Sequence, residues 1–213
     1  MILPIVAYGS DVLRKKCVEI DNSYSNLDQL IDNMFETMNA ASGVGLAAPQ
    51  INKSIRLFII DTTPFNDEEN PDHVICKKVF INPKIISKSG DSWSFSEGCL
   101  SIPEVREDVK RLSEITIEYF DIDFNKHTET FDGLNARVIL HEYDHIEGVL
   151  FIDKISPLRK RMIKGKLKNI SNGVMNANYL IRSFKHKYNV LQFFLSNTTL
   201  FLVRDISFSN SLS

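Results

Sequence analysis

The stretch DGLNARVILHEYDHIEG (residues 132–148) has the hydrophobic spacing of a helix with one buried face. Positions i, i+4, i+7, i+8 and i+11 of a helix share one side. Counted from Leu134, those positions hold Leu134, Val138, His141, Glu142 and His145. The pattern predicts a helix that starts near Asp132 and ends at Gly148. Its buried face would carry ionisable groups, which indicates a functional site.

HEYDH (residues 141–145) has two histidines four positions apart, with a glutamate directly after the first. On a helix this spacing places both imidazoles on one face about 6 Å apart, so that they can bind one metal ion. Glu142 would lie beside the water that completes the coordination. A histidine pair can also be only a hydrogen-bonded feature of a core. The metal reading is favoured because the apolar stripe and the ligand face coincide.

A catalytic metal site needs a third protein ligand and one open position. In metzincins the third ligand is a histidine, but this chain has Phe151 where that histidine would stand. A downstream carboxylate is disfavoured, because residues 154–204 contain no Asp or Glu. Cys99, in the polar turn EGCLSIP (97–103), is the best upstream candidate, since a thiolate is a strong ligand for a borderline-soft divalent metal. Arg111 is expected to form a salt bridge with Glu97 or nearby acids.

Periodicity predicts two further helices. The first is amphipathic over residues 27–38, with a capping box at Ser25 and Asp28, and ends near Gly43. The other starts with Ser156 as N-cap and Pro157 as first residue. Its inner side would carry Leu158, Met162, Ile163, Leu167 and Ile170, and Asn172 with Gly173 would end it. Three β-branched or aromatic runs predict strands, namely residues 55–61, 79–86 and 114–120.

Length and composition favour one soluble globular domain, with 213 residues, 43% hydrophobic and 24% charged. The N-terminus lacks the parts of a signal peptide, and no stretch is long and apolar enough to span a membrane. Three widely spaced cysteines argue for a reducing compartment, so a cytoplasmic location is expected. Cys17 and Cys76 are predicted to be buried or inert thiols.

Three ordered motifs resemble those of the peptide deformylase family. They are GVGLAAPQ (43–50), EGCLSIP (97–103) and HEYDH (141–145). YGSDVLRKKC (8–17) and SPLRKRMIKGKL (156–167) are also similar to its opening and its C-terminal helix. The likeness covers roughly residues 1–180, which gives a catalytic domain over 1–184 and an extension of unknown role over 185–213. In that extension, residues 189–205 are patterned as two short strands and a turn.

The resemblance implies an α+β fold in which mixed or antiparallel strands surround a central helix carrying HExxH, with a C-terminal helix. It implies removal of the formyl group from the formyl-methionine of nascent polypeptides, with release of formate. It also implies one divalent metal ion, Fe(II), for which zinc, nickel or cobalt can substitute.

The resemblance assigns a role to each matching residue. Cys99, His141 and His145 would be the metal ligands and Glu142 the general base. The Gln50 side-chain amide and the backbone N–H of Leu100 would bind the formyl oxygen. Val44, Gly45 and Gly98 would lie along the substrate backbone, and the methionine pocket would be formed by Val44, Phe95, Leu134, Val138 and the ring of His141.

Two alternatives stay open at this point. One is a general HExxH metallopeptidase, and the other is a non-catalytic metal-binding module associated with the ribosome. Residues 154–204 contain 11 of the 25 Lys and Arg but no carboxylate, which could form a contact surface for RNA. Within this segment, residues 159–168 are predicted to contact ribosomal RNA, with a solvated helix face as the alternative.

Overall fold

The computed structural model describes residues 1–66 and 71–183 and shows an α+β fold. Its helices are α1 (Leu27–Ala40), α2 (Gly133–Ile146) and α3 (Pro157–Ser171). Its strands are β1 (Ile5–Val6), β2 (Gly45–Ala47), β3 (Leu57–Asp61), β4 (Lys77–Cys99), β5 (Ile102–Phe120), β6 (Lys126–Asp132) and β7 (Ile181–Arg182). Short 3-10 helices span Asp11–Arg14, Ala48–Ile51, Thr63–Phe65 and Phe151–Asp153.

One five-stranded sheet is antiparallel throughout, with the order β2-β3-β4-β5-β6. The three predicted strands lie in β3, β4 and β5, but β4 and β5 are far longer than their apolar runs. They form a ribbon in which residues 86–96 of β4 are mostly exposed, whereas residues 104–111 of β5 alternate between exposed and buried side chains. The exposed half of this pairing is not marked by hydrophobic residues. A β-bulge between Gly98 and Cys99 ends the ribbon at the turn that leads into β5.

The helix carrying HEYDH begins and ends where the sequence predicts. Asp132 precedes its first residue, and Gly148 follows its end with a φ of +73°, a conformation that favours glycine. α2 contacts β2, β3, β5 and β6. Ten of its fourteen residues are buried, six of them consecutive (135–140), so the helix is buried on most sides and not along one face only.

The other helices follow the prediction with two corrections. Ser156 caps α3, and its hydroxyl accepts a hydrogen bond from the N–H of Arg159 at 3.3 Å. The predicted capping box of α1 is wrong, because Asn26 is the N-cap and its side chain makes no capping bond. Leu158 and Met162 are also not on the inner side of α3, being 67% and 64% exposed. Both point away from the body, while the other three predicted positions, Ile163, Leu167 and Ile170, are buried.

A second, two-stranded sheet joins the two ends of the described chain. β1 and β7 pair in parallel, with Ile5 opposite Ile181. After α3 the backbone thus returns to the N-terminal strand, which no sequence pattern indicated. No described helix is long and apolar enough to cross a membrane. The extension over 185–213 and its two predicted short strands lie outside the described residues.

Candidate active site

Three side chains predicted as metal ligands converge at the end of β4 and on α2. One ligand atom each from Cys99, His141 and His145 lies within 4.8 Å of the others. The Sγ of Cys99 is 3.2 Å from Nε2 of His145, and the two imidazole centroids are 5.1 Å apart. His145 is buried, while Cys99 and His141 are partly exposed. The cluster is therefore partly accessible to solvent, as a catalytic metal site with an open position requires.

Glu142 lies on the same helix as both histidines and is 4% exposed. Its Oε2 has no hydrogen-bond partner among the described residues. Burying a carboxylate oxygen without a hydrogen-bond partner costs stability. Because Oε2 lies beside the ligand cluster, a metal-bound water would be a suitable hydrogen-bond partner. Burial raises the pKa of Glu142 to about 7, against the lowering effect of the His141 charge. A carboxyl group with a pKa near neutrality can both take and return a proton at that pH.

Gly45 permits β2 to pass directly beside this carboxylate. A Cβ built on Gly45 would lie 2.8 Å from Cδ and from Cγ of Glu142. Real Cβ contacts are never that short, so any side chain here would displace Glu142. The sequence predicted a need for close approach at this glycine, and the structure identifies Glu142 as a group that approaches.

Gln50 is fixed in the wall of the site by its own loop. Its Oε1 accepts a hydrogen bond from the N–H of Ala47 at 2.8 Å, and the residue is 1% exposed. Its Nε2 lies 3.5 Å from Sγ of Cys99 and 3.3 Å from Oγ of Ser101. The amide N–H₂ group therefore faces the ligand cluster. Gln50 is therefore a buried residue of the site and not a surface amide.

A buried ionic network holds the first histidine of the motif. Glu97 accepts from Nδ1 of His141 at 3.0 Å and from Nε of Arg111 at 2.7 Å. Arg111 also donates to Asp144 at 2.6 Å, and Nη1 of Arg137 donates to Glu97 at 3.0 Å. This network confirms the predicted salt bridge of Arg111. The bond to Nδ1 leaves Nε2 of His141 free to face a metal.

The network and the cluster shift pKa values in opposite directions. Burial opposes the charged form of Glu97, but hydrogen bonds from Arg111 and His141 lower its pKa far below the usual range. Burial and the nearby charges of His141 and Arg111 lower the pKa of His145. Burial would also lower the pKa of His141, but hydrogen bonds to Cys99 and Glu97 raise it. The neutral imidazole of His145 can therefore act as a metal ligand, because metal ligands must be deprotonated.

Two of the residues predicted for the methionine pocket, Val44 and Val138, share one apolar cluster. Leu134 is half-buried one turn earlier on α2, and the ring of Phe95 lies 6.5 Å from that of Phe65. Gly98 packs close to Arg106, whose Nη1 would be 3.0 Å from an added Cβ.

The sequence analysis missed several residues that contact the site. Glu97 was considered only as a partner of Arg111, although it lies two residues before Cys99 at the end of the same strand. Ser101, which is fully buried beside Gln50, was also missed. Tyr179 donates its hydroxyl to the carbonyl of Leu100 at 2.8 Å, and nothing in the sequence pattern indicated this contact.

A Cys-His-His cluster beside a buried glutamate, on an α+β fold, defines the class as a metal-dependent hydrolase. The sequence model of the polypeptide deformylase family matches residues 2–161. The chain is 59% identical over 188 residues to a peptide deformylase of Christiangramia forsetii, covering 85% of this chain and 96% of the relative. A peptide deformylase of Flavobacterium psychrophilum is 56% identical, with 85% and 97% covered.

Solved structures agree with these relatives. A peptide deformylase from Plasmodium falciparum superposes with a TM-score of 0.71 at 35% identity, covering 79% of this chain and 95% of that one. One from Legionella pneumophila gives 0.69 at 36% identity, with 81% and 96% covered. The chain belongs to the polypeptide deformylase family. It is an enzyme that removes the N-formyl group from nascent polypeptides, and the open alternatives of a general metallopeptidase and a non-catalytic module fall away.

Proposed function

We propose that Glu142 is the proton carrier of the deformylation reaction and that Cys99, His141 and His145 hold the metal ion. The observation that carries this proposal is the buried, unpartnered Oε2 of Glu142 beside a three-ligand cluster that is partly accessible to solvent. By resemblance to the family the metal is Fe(II), with zinc, nickel or cobalt able to substitute. When bound, it would polarise the formyl group and make a water molecule more acidic.

Glu142 then takes the proton of the attacking water and returns it to the departing amine. The oxygen of the water bonds to the formyl carbon, the carbon–nitrogen bond breaks, and formate and a free amino terminus result. The carboxylate side chain lies close to β2, where only a glycine at position 45 leaves room for it.

The formyl oxygen is bound from two sides in this proposal. The Nε2 of Gln50 donates from one side, and the backbone N–H of Leu100 donates from the other. Negative charge grows on that oxygen during the attack, so donors fixed in advance stabilise the transition state more than the substrate. The buried anchoring of Gln50 through Ala47 supports this role.

The substrate peptide is proposed to dock along β2. This strand lies at an edge of the five-stranded sheet and pairs with β3 on one side only among the described strands. An extended peptide can add to such an edge through backbone hydrogen bonds. Val44, Gly45 and Gly98 would then follow the peptide backbone. The methionine side chain would enter the pocket of Val44, Phe95, Leu134, Val138 and the His141 ring, with HEYDH on the central helix of the fold as its floor.

Formate release from formyl-Met-Ala-Ser tests the assignment of Glu142. Glu142→Gln should keep the metal but lower kcat by about 10²- to 10⁴-fold, because three ligands remain while the proton carrier is gone. Elemental analysis of protein purified without oxygen measures the metal content and identifies the metal. Loss of metal equal to the loss of activity would contradict the assignment.

We further propose that the enzyme works in the cytoplasm and contacts ribosomal RNA through α3. Residues 159–168 include six basic side chains, but the structure divides them. Arg159 donates to the buried Glu107 at 2.6 and 3.0 Å, and Lys160 lies 3.5 Å from Asp153. Arg161, Lys164 and Lys168 are exposed and follow one face at i, i+3 and i+7. A solvent-facing row of cations can bind phosphates without reading sequence.

Changing Arg161, Lys164 and Lys168 to Glu tests this contact without disturbing the Arg159–Glu107 pair. Co-sedimentation with ribosomes at low salt should be lost, while kcat/KM for formyl-Met-Ala-Ser stays within about twofold. Lys110→Glu, which alters an exposed cation on β5, is the control. Unchanged co-sedimentation of the triple variant would show that these three residues form a solvated helix face and do not bind ribosomal RNA.

A further inference from the structure

The turn that follows the metal ligand Cys99 is held by both ends of the described chain. Its two residues, Leu100 and Ser101, connect β4 to β5. The carbonyl of Leu100 accepts from the hydroxyl of Tyr179 at 2.8 Å. The carbonyl of Ser101 accepts from the N–H of Tyr8 at 2.7 Å. Successive carbonyls are therefore fixed by residues that are far apart in the sequence.

The two donors are tied to one another by the small parallel sheet. Tyr8 follows β1 and Tyr179 precedes β7. The N–H of Ile5 donates to the carbonyl of Leu180, and the N–H of Ala7 donates to that of Arg182, both at 2.9 Å. Side chains of Tyr179 and Leu100 also pack against the same core cluster. A displacement of the segment around Tyr179 would therefore be transmitted to the turn.

Fixing these carbonyls limits the directions that the Leu100 N–H can take. Peptide groups are planar, so only the two backbone angles of Leu100 separate its N–H from its own C=O. Cys99 restrains the preceding peptide through its pairing with Ile102, and Tyr179 restrains the following one. Leu100 is also confined on its side-chain face, because its Cδ1 would lie 2.8 Å from a Cβ at Gly43.

We propose that Tyr179 is a positioning residue for deformylation, which holds the Leu100 N–H toward the formyl oxygen through its hydrogen bond to the Leu100 carbonyl. The inference rests on the proposed role of Leu100 in binding that oxygen. The segment between α3 and β7 would thus contribute to catalysis. None of the side chains in this described segment forms a hydrogen bond to a metal ligand. Misplacing a donor by a fraction of an ångström weakens the transition state more than the bound substrate.

Tyr179→Phe removes the hydroxyl and keeps the ring, so the holoenzyme should fold and bind metal as before. We expect kcat for formyl-Met-Ala-Ser to fall about tenfold, the rate equivalent of one hydrogen bond, with KM changed less than twofold. Hydrogen exchange of the Leu100 amide, followed by mass spectrometry of overlapping peptides, should become faster. Tyr119→Phe is the matched control, because it removes a buried tyrosine hydroxyl that donates to Glu129 on β6 and not to the turn after Cys99.

The outcomes separate this inference from the role of Leu100. Unchanged exchange and unchanged kcat would overturn the positioning role of Tyr179 and leave the role of Leu100 intact. Faster exchange with unchanged kcat would overturn both, since a loosened Leu100 would then not matter. A fall in kcat matched by loss of metal, by a rise in KM, or by the same fall in Tyr119→Phe would show a general structural effect and overturn the proposal.

Discussion

Single residues decide what the Cys99 cluster can bind. A thiolate, two imidazoles and access to solvent suit a divalent transition metal, whereas a hydroxyl in place of the thiol is a much poorer ligand. The other two cysteines offer internal comparisons. Both are buried, and burial raises the pKa of Cys17 and of Cys76 to about 11, so neither is a thiolate near neutral pH.

Cys99→Ser should therefore lower the metal content at least tenfold, with activity falling in parallel. Cys17→Ser is the control and should keep full metal occupancy, although a buried hydroxyl without its own partner costs about 1–3 kcal/mol of stability. Metal analysis after dialysis against a weak chelator checks both variants. Normal occupancy in Cys99→Ser would mean that the third ligand lies elsewhere.

At the scale of elements, the approach of β2 to α2 brings the substrate edge and the proton carrier together. Only a residue without a side chain permits that distance at Gly45. Gly165 provides a contrast, because a Cβ there would meet nothing within 4 Å, and it lies inside α3.

Gly45→Ala should lower kcat by about 10²-fold while the metal stays bound, because Glu142 must move away from its position. Gly165→Ala should leave kcat unchanged and raise the free energy of unfolding by about 0.5–1 kcal/mol, the helix preference for alanine over glycine. Steady-state kinetics and urea unfolding measure the two effects. Full activity of Gly45→Ala would show that Glu142 can be relocated without cost.

Over the whole molecule, the buried network of Glu97, Arg111, Arg137 and Asp144 links the ribbon β4–β5 to α2. The pKa of Glu97 is lower in the folded chain than its ordinary value of 4.5. The unfolded chain therefore binds more protons over this acidic range, so stability contributed by Glu97 is full above about pH 4.5 and is lost as pH falls below it.

We expect the free energy of unfolding of the metal-free protein to decrease steadily below about pH 4.5. Glu97→Gln should be less stable at pH 7 but show a shallower decrease, because its amide does not titrate. Urea unfolding between pH 3 and pH 7 gives both slopes. Parallel slopes for wild type and Glu97→Gln would assign the acid sensitivity to other carboxyl groups.

The sequence by itself determined the parts of the site that are set by local geometry. Helical spacing placed His141, Glu142 and His145 on one face, and Gly148 marked the end of the helix. Ligand chemistry and the lack of downstream acids indicated Cys99. These inferences needed no knowledge of distant contacts, because the spacing of neighbours on a helix is fixed by its pitch.

Only the tertiary structure decided which distant residues meet. The register of a long, largely polar ribbon brings Cys99 to within 3.2 Å of His145, which is 46 residues later. Packing between α2 and β2 gives Gly45 its contact with Glu142, and parallel pairing of β1 with β7 brings Tyr179 to Leu100. The exposed side of α3 was also misjudged, since Leu158 and Met162 have helical spacing but no neighbouring element covers them. Strand register and helix packing depend on contacts between segments far apart in the chain, and a local pattern carries no information about them.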